Sequence, residues 1–396
     1  MNEKSMKLND SNIVPTINNV TKNTKIFSKK ERNPGIELLR ILGMYAIIIH
    51  HILVFGKLFL KFNNYKQLHF INISCFFHIS VFGLISGIIG NKTYKYSNLL
   101  YLWLCVIFYS FGIHIIYKSL YPNLVKDDNN YNSFKWLFPI IFKKYWYFTS
   151  YFGMYLFLPL INKGLSNINK SELKIIVLSL IGIFIIWRDF INSKGDPFQL
   201  NSGYSVIGLL IFYIIGAYLG KYIIIKKTNI IINIIYLIIY ICSSYLCYCF
   251  YFYKENKTKL IIIIKLKQIF SLRINSISMI IQGISLTLIF SRIKYNKFFS
   301  KIFGFLGPLT FGVYLIHSHH YFFYYEFKKL FQKYQSNIPL KTIIYLLLLK
   351  GIVIFVKCII IDYFRNIIFT FLKIKQICIY ADKITKYIFN KINILF

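Results

Sequence analysis

The sequence predicts an all-α fold, a polytopic membrane helix bundle of about ten transmembrane helices, each of which needs ~20 mostly apolar residues. Of the 396 residues, 56% are hydrophobic and only 15% are charged, whereas soluble globular domains carry about 25% charged residues. Long apolar runs recur along the whole chain, separated by short basic connections. These observations exclude an ordinary cytosolic enzyme, and the hydrophobic content excludes a disordered chain.

The apolar runs give the candidate spans in order. They are residues 36–56, 69–90, 98–117, 140–161, 173–191, 204–223, 228–252, 275–291, 302–323 and 342–370. An even number of crossings places both termini on one side of the membrane. Because a basic segment precedes the first run, the positive-inside rule predicts that this side is the cytoplasm. We therefore expect a multi-pass protein of the cell membrane (plasma or inner membrane) with both termini cytoplasmic.

The two ends of the chain differ from its apolar middle. Residues 1–33 are polar and basic, which predicts a disordered cytoplasmic tail. The first apolar run then starts too late and is too long for a cleaved signal peptide. Residues 34–372 form the predicted transmembrane domain. Residues 373–396 carry isoleucines and lysines at helical spacing, which predicts an amphipathic helix lying on the membrane surface.

The strongly basic composition has two interpretations. Lys and Arg number 48 against 13 Asp and Glu, for a formal net charge of +35. In a soluble domain this balance would indicate nucleic-acid binding. Here the lysines are spread through the short connections between spans, where they meet lipid headgroups, so the expected partner is the lipid bilayer and not a nucleic acid. The seven cysteines form no CxxC pair and are interpreted as small hydrophobic residues.

The first span contains the most informative polar residues, because each charged group inside a membrane costs ~2.5–3.5 kcal/mol and needs a reason. At about 100° per residue, Arg40 and His51 share one helix face within ~20° and lie ~16 Å apart along the axis. Glu37 falls on the same side. His50 is displaced by ~80° from Arg40, so it is expected to face away and to tolerate replacement better.

Two interpretations of this face of the first helix remain open. In the simpler one, Glu37 and Arg40 pair at the membrane interface and His51 is a packed interior residue. In the functional one, a cation at the membrane edge and a titratable base deeper inside accommodate an extended acyl donor with an anionic head. Histidine suits the role of base because its ordinary pKa of about 6.5 lies near working pH.

This face also carries a family resemblance. Glu37-x-x-Arg40 followed by ten residues and His51 resembles the first-span motif of the acyltransferase 3 family of integral membrane O-acyltransferases. The order and spacing of further motifs hold over residues 34–325. The further motifs are Phe82-Gly-Leu-Ile-Ser86-Gly87, Tyr145-Trp146-Tyr-Phe148 with Pro159, and Gly312-Val-Tyr314-Leu-Ile-His317.

The resemblance implies an O-acyltransferase that moves an acyl group, most often acetyl, from acyl-CoA to a hydroxyl of a cell-surface or exopolysaccharide glycan, free or lipid-linked. Acetyl-CoA is then a donor substrate, and no bound cofactor and no metal are expected. His51 is implied as general base or transient acyl acceptor. Arg40 is implied to bind donor phosphate or stabilise an oxyanion, with Glu37 orienting it. The implied substrate-binding residues are His317, Ser86, Trp146 and Tyr151, the last standing where many members carry glutamate.

Other functions and residues are weighed against this reading. A flippase or transporter for lipid-linked oligosaccharides would share the span count and the intramembrane charges, but it does not explain the ordered motifs. The closely spaced histidines 317, 319 and 320 are expected to fan around a helix and not to converge on a metal. His78 and His114 are expected to be packed core histidines, and Arg188 with Asp189 to be an interfacial pair.

Overall fold

Helices form where the apolar runs of the sequence predict them, and no strand occurs in the described residues. The computed structural model describes residues 32–63, 65–90, 95–126, 132–187, 196, 198–224, 229–253 and 266–395. Residues 33–396 form one compact unit. The predicted basic tail falls almost entirely on residues 1–31, outside the described residues, so its disorder stays a prediction.

Twelve long helices can be followed through the described residues, joined by short helical turns. They are α1 Pro34–Phe55, α2 Gln67–Cys75, α3 His78–Ile89, α4 Tyr96–Leu120, α5 Trp146–Asn167, α6 Lys170–Ile181, α7 Val206–Tyr218, α8 Ile230–Phe252, α9 Ile277–Arg292, α10 Lys297–His317, α11 Leu340–Phe371 and α12 Ile374–Leu395. The wider π-helical segments are Gly182–Trp187, Leu219–Ile223 and Phe322–Glu326. The short helices are Leu58–Lys61, Pro122–Lys126, Phe134–Leu137, Asn201–Gly203 and Phe327–Lys329.

The polytopic character of the bundle is confirmed by the length and composition of these helices. Among the described residues, seven helical segments are long and apolar enough to cross a membrane: α1, α2 with α3, α4, α7 with its π-helical end, α8, α10 and α11. α9 is apolar but shorter, and α5 and α6 occupy two further predicted spans. Each predicted span therefore has a helix, while the number of ten crossings stays a prediction.

Two helix ends differ from the predicted spans. α5 begins at Trp146 and not near residue 140, because residues 139–145 form turns in which Lys143 is left-handed, with φ 49°. α10 ends at His317, several residues before the predicted end, because the chain bends at Ser318. Periodicity does not reveal such ends, since apolar residues continue on both sides of each bend.

The start of α1 is specified by its sequence. The side chain of Asn33 accepts hydrogen bonds from the backbone N–H groups of Gly35 and Ile36, and Pro34 occupies the first helical position. Both features are typical of helix N-termini. They place Glu37 in the first turn, where the helix dipole favours a carboxylate, and they set the rotation of the whole helix.

α3 and α7 approach each other closely through glycines. A Cβ at Gly87 would overlap the backbone carbonyl oxygen of Tyr213, and a Cβ at Gly216 would overlap the carbonyl oxygen of Leu84. Only glycine therefore fits at these two contacts. The close packing holds α3, and with it the neighbouring Ser86, in a fixed orientation beside α1.

α1 is surrounded by α10 running parallel to it and by α11 running in the opposite direction. Within α11, Nη2 of Arg365 lies 2.8 Å from Oδ2 of Asp362 in a buried ion pair. Tyr109 of α4 links this pair to its own helix, because its hydroxyl donates to Oδ1 of Asp362 at 2.8 Å. Asp362 in turn contacts the position where Gly312 of α10 lacks a side chain. The network therefore joins α11 to α4 and to α10.

The C-terminal helix α12 is amphipathic and packs on α4. Cys378 and Asp382 are buried against the bundle, whereas Ile377, Ile384 and Ile388 are exposed. A helix with exposed isoleucines and several lysines has the composition of an interfacial helix. Its place on the membrane surface stays a prediction.

Candidate active site

The candidate site is a cavity of about 280 Å³ lined mainly by α1, α3, α5 and α10. Most of its wall is apolar or aromatic, as in most small-molecule pockets. The lining residues with polar groups are Arg40, His50, His51, His78, Ser86, Trp146, Tyr147, Tyr151, Tyr204, Thr310 and Tyr314. The cavity therefore brings together side chains that lie far apart in the sequence.

At one end of the cavity, Arg40 is held by Glu37. Nη1 of Arg40 donates to both carboxylate oxygens of Glu37, at 3.1 and 3.2 Å. Glu37 is 1% exposed, whereas Arg40 lines the cavity, so the pair presents its cation to a ligand. The carboxylate fits beneath α10 because Gly307 has no side chain there. A charge-assisted pair of this kind is stronger than a neutral hydrogen bond.

At the other end, His51 is enclosed by aromatic rings. Its ring centroid lies 5.2 Å from that of His317 and 4.7 Å from that of Phe323. Phe323 belongs to the π-helical segment Phe322–Glu326 and stacks on Phe55 at 4.1 Å. Among the described residues, none offers a hydrogen-bond partner to the buried Nδ1 of His51. A buried polar atom without a partner is costly, so it marks a candidate for a functional role.

His317 stands behind His51. Its Nδ1 lies 2.6 Å from the carbonyl oxygen of Val313, to which it donates, and its Nε2 is 3.4 Å from the Ser318 hydroxyl. It contacts the ring of His51 and is fully buried. Its position therefore suits a residue that orients His51, and it lies outside the set of residues that line the cavity.

The other sequence-predicted site residues lie on the cavity wall. Ser86 lines it, with its hydroxyl donating to the carbonyl of Phe82 at 2.8 Å. Trp146 lines it and packs on Tyr204, with ring centroids 4.5 Å apart. Tyr151 lines it beside a second tyrosine of α5 at position 147. The cavity therefore gathers three of the four proposed binding residues.

The expectation that His50 faces away from the site is wrong. His50 lines the same cavity as His51, and their ring centroids are 5.5 Å apart. The cavity wraps around α1 widely enough to include both. His78, expected to be a packed core residue, also lines the cavity, and its ring centroid lies 5.7 Å from that of His50.

Sequence reasoning also missed the tyrosines that line the cavity at positions 147, 204 and 314. Two had a signal, since Tyr147 adjoins Trp146 in one motif and Tyr314 belongs to another. Tyr204 follows a turn outside any motif, so only the tertiary structure places it.

The histidines outside the cavity pack against other side chains. In the part of the chain that the structure describes, no group of three or more His, Cys, Asp or Glu side chains has the spacing to hold a metal ion. His114 is buried, with its ring nitrogens 3.0 Å from the hydroxyls of Tyr321 and Ser133. His319 stacks on Trp136 at 4.5 Å, away from His51. Arg188 and Asp189 lie outside the described residues.

A family model described as an acyltransferase domain matches residues 33–362, nearly the whole chain. The chain belongs to the acyltransferase 3 family. Comparison with curated proteins and with solved structures finds no match. The matched range contains every residue that lines the cavity. With several helices able to cross a membrane, this acyltransferase is a multi-pass membrane protein.

The geometry separates two chemical functions along the cavity of this acyltransferase. At a rise of ~1.5 Å per residue, Arg40 and His51 lie ~16 Å apart along α1. One end offers a fixed cation, which can bind an anionic group. The other offers an imidazole, which can take and return a proton. A ligand that engages both groups must be extended.

Proposed function

We propose that this acyltransferase transfers an acetyl group from acetyl-CoA to a hydroxyl of a cell-surface or exopolysaccharide glycan, free or lipid-linked. The observation that carries the proposal is a single cavity lined by Arg40, which is paired with Glu37, and by His51, whose Nδ1 has no partner among the described residues; all three lie on α1. We place the protein in the plasma or inner membrane with both termini cytoplasmic. Cytoplasmic acetyl-CoA then reaches the Arg40 end first.

The separation along α1 decides the role of Arg40. The Cα atoms of Arg40 and His51 lie ~16 Å apart along α1, and Glu37 holds the Arg40 guanidinium towards the first turn, so it does not reach a carbonyl that reacts beside His51. Arg40 therefore binds a phosphate of the donor, and Glu37 fixes the direction in which the guanidinium points. Between the two ends, Met44, Ile47 and Phe311 form an apolar wall along the extended arm of the donor.

His51 acts on the acceptor as a general base. As the acceptor oxygen attacks the thioester carbonyl, its proton passes to His51, the new C–O bond forms and the C–S bond breaks. His51 then returns the proton to the leaving thiolate, so the products are an acetyl ester and free CoA. General-base catalysis of this kind contributes typically ~10²–10⁴-fold in rate. His317 orients the ring of His51, since the centroids of the two rings lie 5.2 Å apart.

The test is the O-acetyl content of the surface glycan, measured by proton NMR. A deletion strain is complemented with the wild type, with His51→Ala or with His69→Ala, each at equal membrane abundance. His69 is the matched control, because it lies on α2 and stacks on Phe59 at 4.2 Å, away from the cavity. The wild type and His69→Ala restore acetylation, and His51→Ala does not. Unchanged acetylation on deletion, together with reduced glycan export, would instead indicate a transporter.

A second measurement separates the two possible roles of His51. Purified protein is incubated with [¹⁴C]acetyl-CoA in the absence of an acceptor, and label bound to the protein is counted after denaturation. A general base leaves the protein unlabelled. Stoichiometric label that disappears in His51→Ala would instead make His51 the covalent acyl carrier.

A further inference from the structure

A second cavity, of about 390 Å³, lies just past the end of α1. We call it the lysine pocket, because three lysines line it. Its wall includes Lys57, Lys61, Lys328, Phe331 and Gln332. No step of the transfer proposed above uses this pocket.

The positive charges of the lysine pocket have no acidic partner in the part of the chain that the structure describes. None of its three lysines forms an ion pair with a carboxylate. Glu326, only two residues before Lys328, faces Lys329 at 3.9 Å and accepts a hydrogen bond from the Tyr117 hydroxyl at 3.1 Å. Lys328 itself contacts the ring of Tyr324, with Nζ 5.4 Å from the ring centroid. Like charges around one cavity repel one another, and a bound anion offsets that repulsion.

The backbone fixes the position of two of these lysines. Nζ of Lys61 donates to the carbonyl oxygens of Phe331 and Gln332, at 2.6 and 3.0 Å. An ammonium group has three N–H donors, so one donor of Lys61 stays available to a ligand. Lys57 has a left-handed backbone, with φ 56°, which glycine or asparagine adopts at lower cost. Strained residues of this kind cluster at functional sites.

The lysine pocket lies close to His51, on the side away from the donor end of α1. The helix ends at Phe55, ~6 Å past His51 along its axis, and the next residue, Gly56, lines the pocket. Phe327, whose ring centroid is 6.4 Å from that of His51, directly precedes Lys328. A ligand that reaches both the pocket and His51 therefore approaches from the side opposite to the donor.

We propose that the lysine pocket binds a phosphate or carboxylate of the acceptor, so that the transferase acts on an acidic glycan. The inference rests on the proposed transfer by His51. In the proposed orientation, the pocket faces the outside of the membrane, where the surface glycan is found. Lys57 and Lys328 are exposed, so an anionic group can reach them and accept charge-assisted hydrogen bonds.

A lipid headgroup carries the same phosphate chemistry. The glycan is favoured because the pocket adjoins the end of the helix that carries the proposed base. An anion bound there restricts which hydroxyl of the same molecule reaches His51, and a lipid bound there would have no such effect on the reaction.

The test compares three acceptors for purified protein in phosphatidylcholine nanodiscs supplied with radiolabelled acetyl-CoA. Maltose is neutral, maltose 1-phosphate carries a phosphate, and maltobionate carries a carboxylate. In the wild type at low salt, kcat/KM for at least one of the two acids exceeds that for maltose roughly tenfold or more, because hydrogen bonds to charged groups are the strong ones. The difference shrinks in ~1 M salt, where charges are screened beyond ~3 Å. If none of the three accepts label, they are compared as inhibitors of glycan labelling, and the same order is expected in their inhibition constants.

Variants then assign the preference to the pocket. Lys57→Asn removes a charge while suiting the left-handed backbone, and Lys328→Gln removes a second one. In the double variant, the ratio of kcat/KM for acid to maltose falls to about one, while the KM for acetyl-CoA stays within about twofold. Lys57→Arg, which keeps the charge, retains the preference. Lys333→Gln combined with Lys341→Gln is the matched control and keeps the wild-type ratio, because both lysines are exposed and neither lines the pocket.

The failures of the two proposals can be told apart. If the wild type labels envelope glycan but prefers neither acid to maltose, as acceptor or as inhibitor, the acidic-glycan site is refuted and the transferase proposal stands. A raised KM for acetyl-CoA in the double variant would also refute it, since the pocket would then hold the donor. Equal loss for all three sugars, seen only in phosphatidylglycerol nanodiscs, would overturn it in favour of a lipid headgroup. If the wild type labels neither glycan nor sugar, the transfer itself fails, and this inference with it.

Discussion

Gly307→Ala tests the packing that holds the Glu37–Arg40 pair in the cavity. A Cβ at this position of α10 would overlap Oε2 of Glu37. Glu37 is 1% exposed, so its carboxylate has no solvent space to move into and must rotate away from Arg40 or push α10 off α1. Either movement breaks the two hydrogen bonds of 3.1 and 3.2 Å that orient the guanidinium.

The size of the effect follows from three contributions. Replacing glycine by alanine inside a helix gains roughly 0.5–1 kcal/mol. Overpacking a tight contact costs roughly 1–3 kcal/mol, and losing a hydrogen bond to a charged group costs roughly 1.5–3 kcal/mol. The net loss is on the order of 2–5 kcal/mol, shared between protein stability and donor binding. Since 1.4 kcal/mol is about a factor of ten, the KM for acetyl-CoA should rise tenfold or more.

Gly304→Ala is the matched control. It lies one turn earlier on the same helix, and no atom lies within 4 Å of the position of its Cβ. Gly304→Ala should keep or raise the melting temperature of the purified protein and leave the KM for acetyl-CoA unchanged. Gly307→Ala should lower the melting temperature and raise the KM for acetyl-CoA. Equal melting temperatures and equal KM values for the two variants would refute the reasoning.

Three other substitutions test separate parts of the structure. Phe323→Ala opens the aromatic cover over His51, so under the proposed transfer acetyl-CoA hydrolysis should rise severalfold relative to transfer, whereas Tyr324→Ala, at an exposed position, should leave that ratio unchanged. Asp362→Asn leaves Arg365 without its buried partner, and the melting temperature should fall by an amount matching ~3–5 kcal/mol; an unchanged value would contradict the buried pair. Gly87→Ala meets a backbone carbonyl of α7, so folded protein should be scarce after detergent extraction, and normal yield would rule out that close approach.

Features that depend on one helix were open to prediction from the sequence. The ~100° and ~1.5 Å steps of an α-helix relate Arg40 to His51 without any knowledge of the other helices. The start of α1 is likewise encoded locally, in Asn33 and Pro34. Motif order then indicated which other segments join α1, and the cavity includes Ser86 and Trp146 from two of them.

Features that depend on the shape of the cavity were not open to prediction. His50 is ~80° from Arg40 on the helix, and helical periodicity cannot say whether a cavity extends that far around α1. His78 has an apolar neighbourhood in sequence whether it faces a packed core or a cavity. Phe323 reaches His51 only because the chain bends at Ser318 and continues as a π-helical segment, and no motif marks that bend.

In the proposed reaction, α1 links donor binding to proton transfer, because this single helix carries the residues proposed for both steps. Its first turn holds Glu37 under α10, and its last turns carry His50 and His51. In the proposed transfer, donor and acceptor therefore approach from opposite ends of α1. Asp362 of the buried Asp362–Arg365 pair packs against α10 at Gly312. We infer that this buried pair helps to specify how α11 packs on α10, a role that buried charges have in some helical proteins.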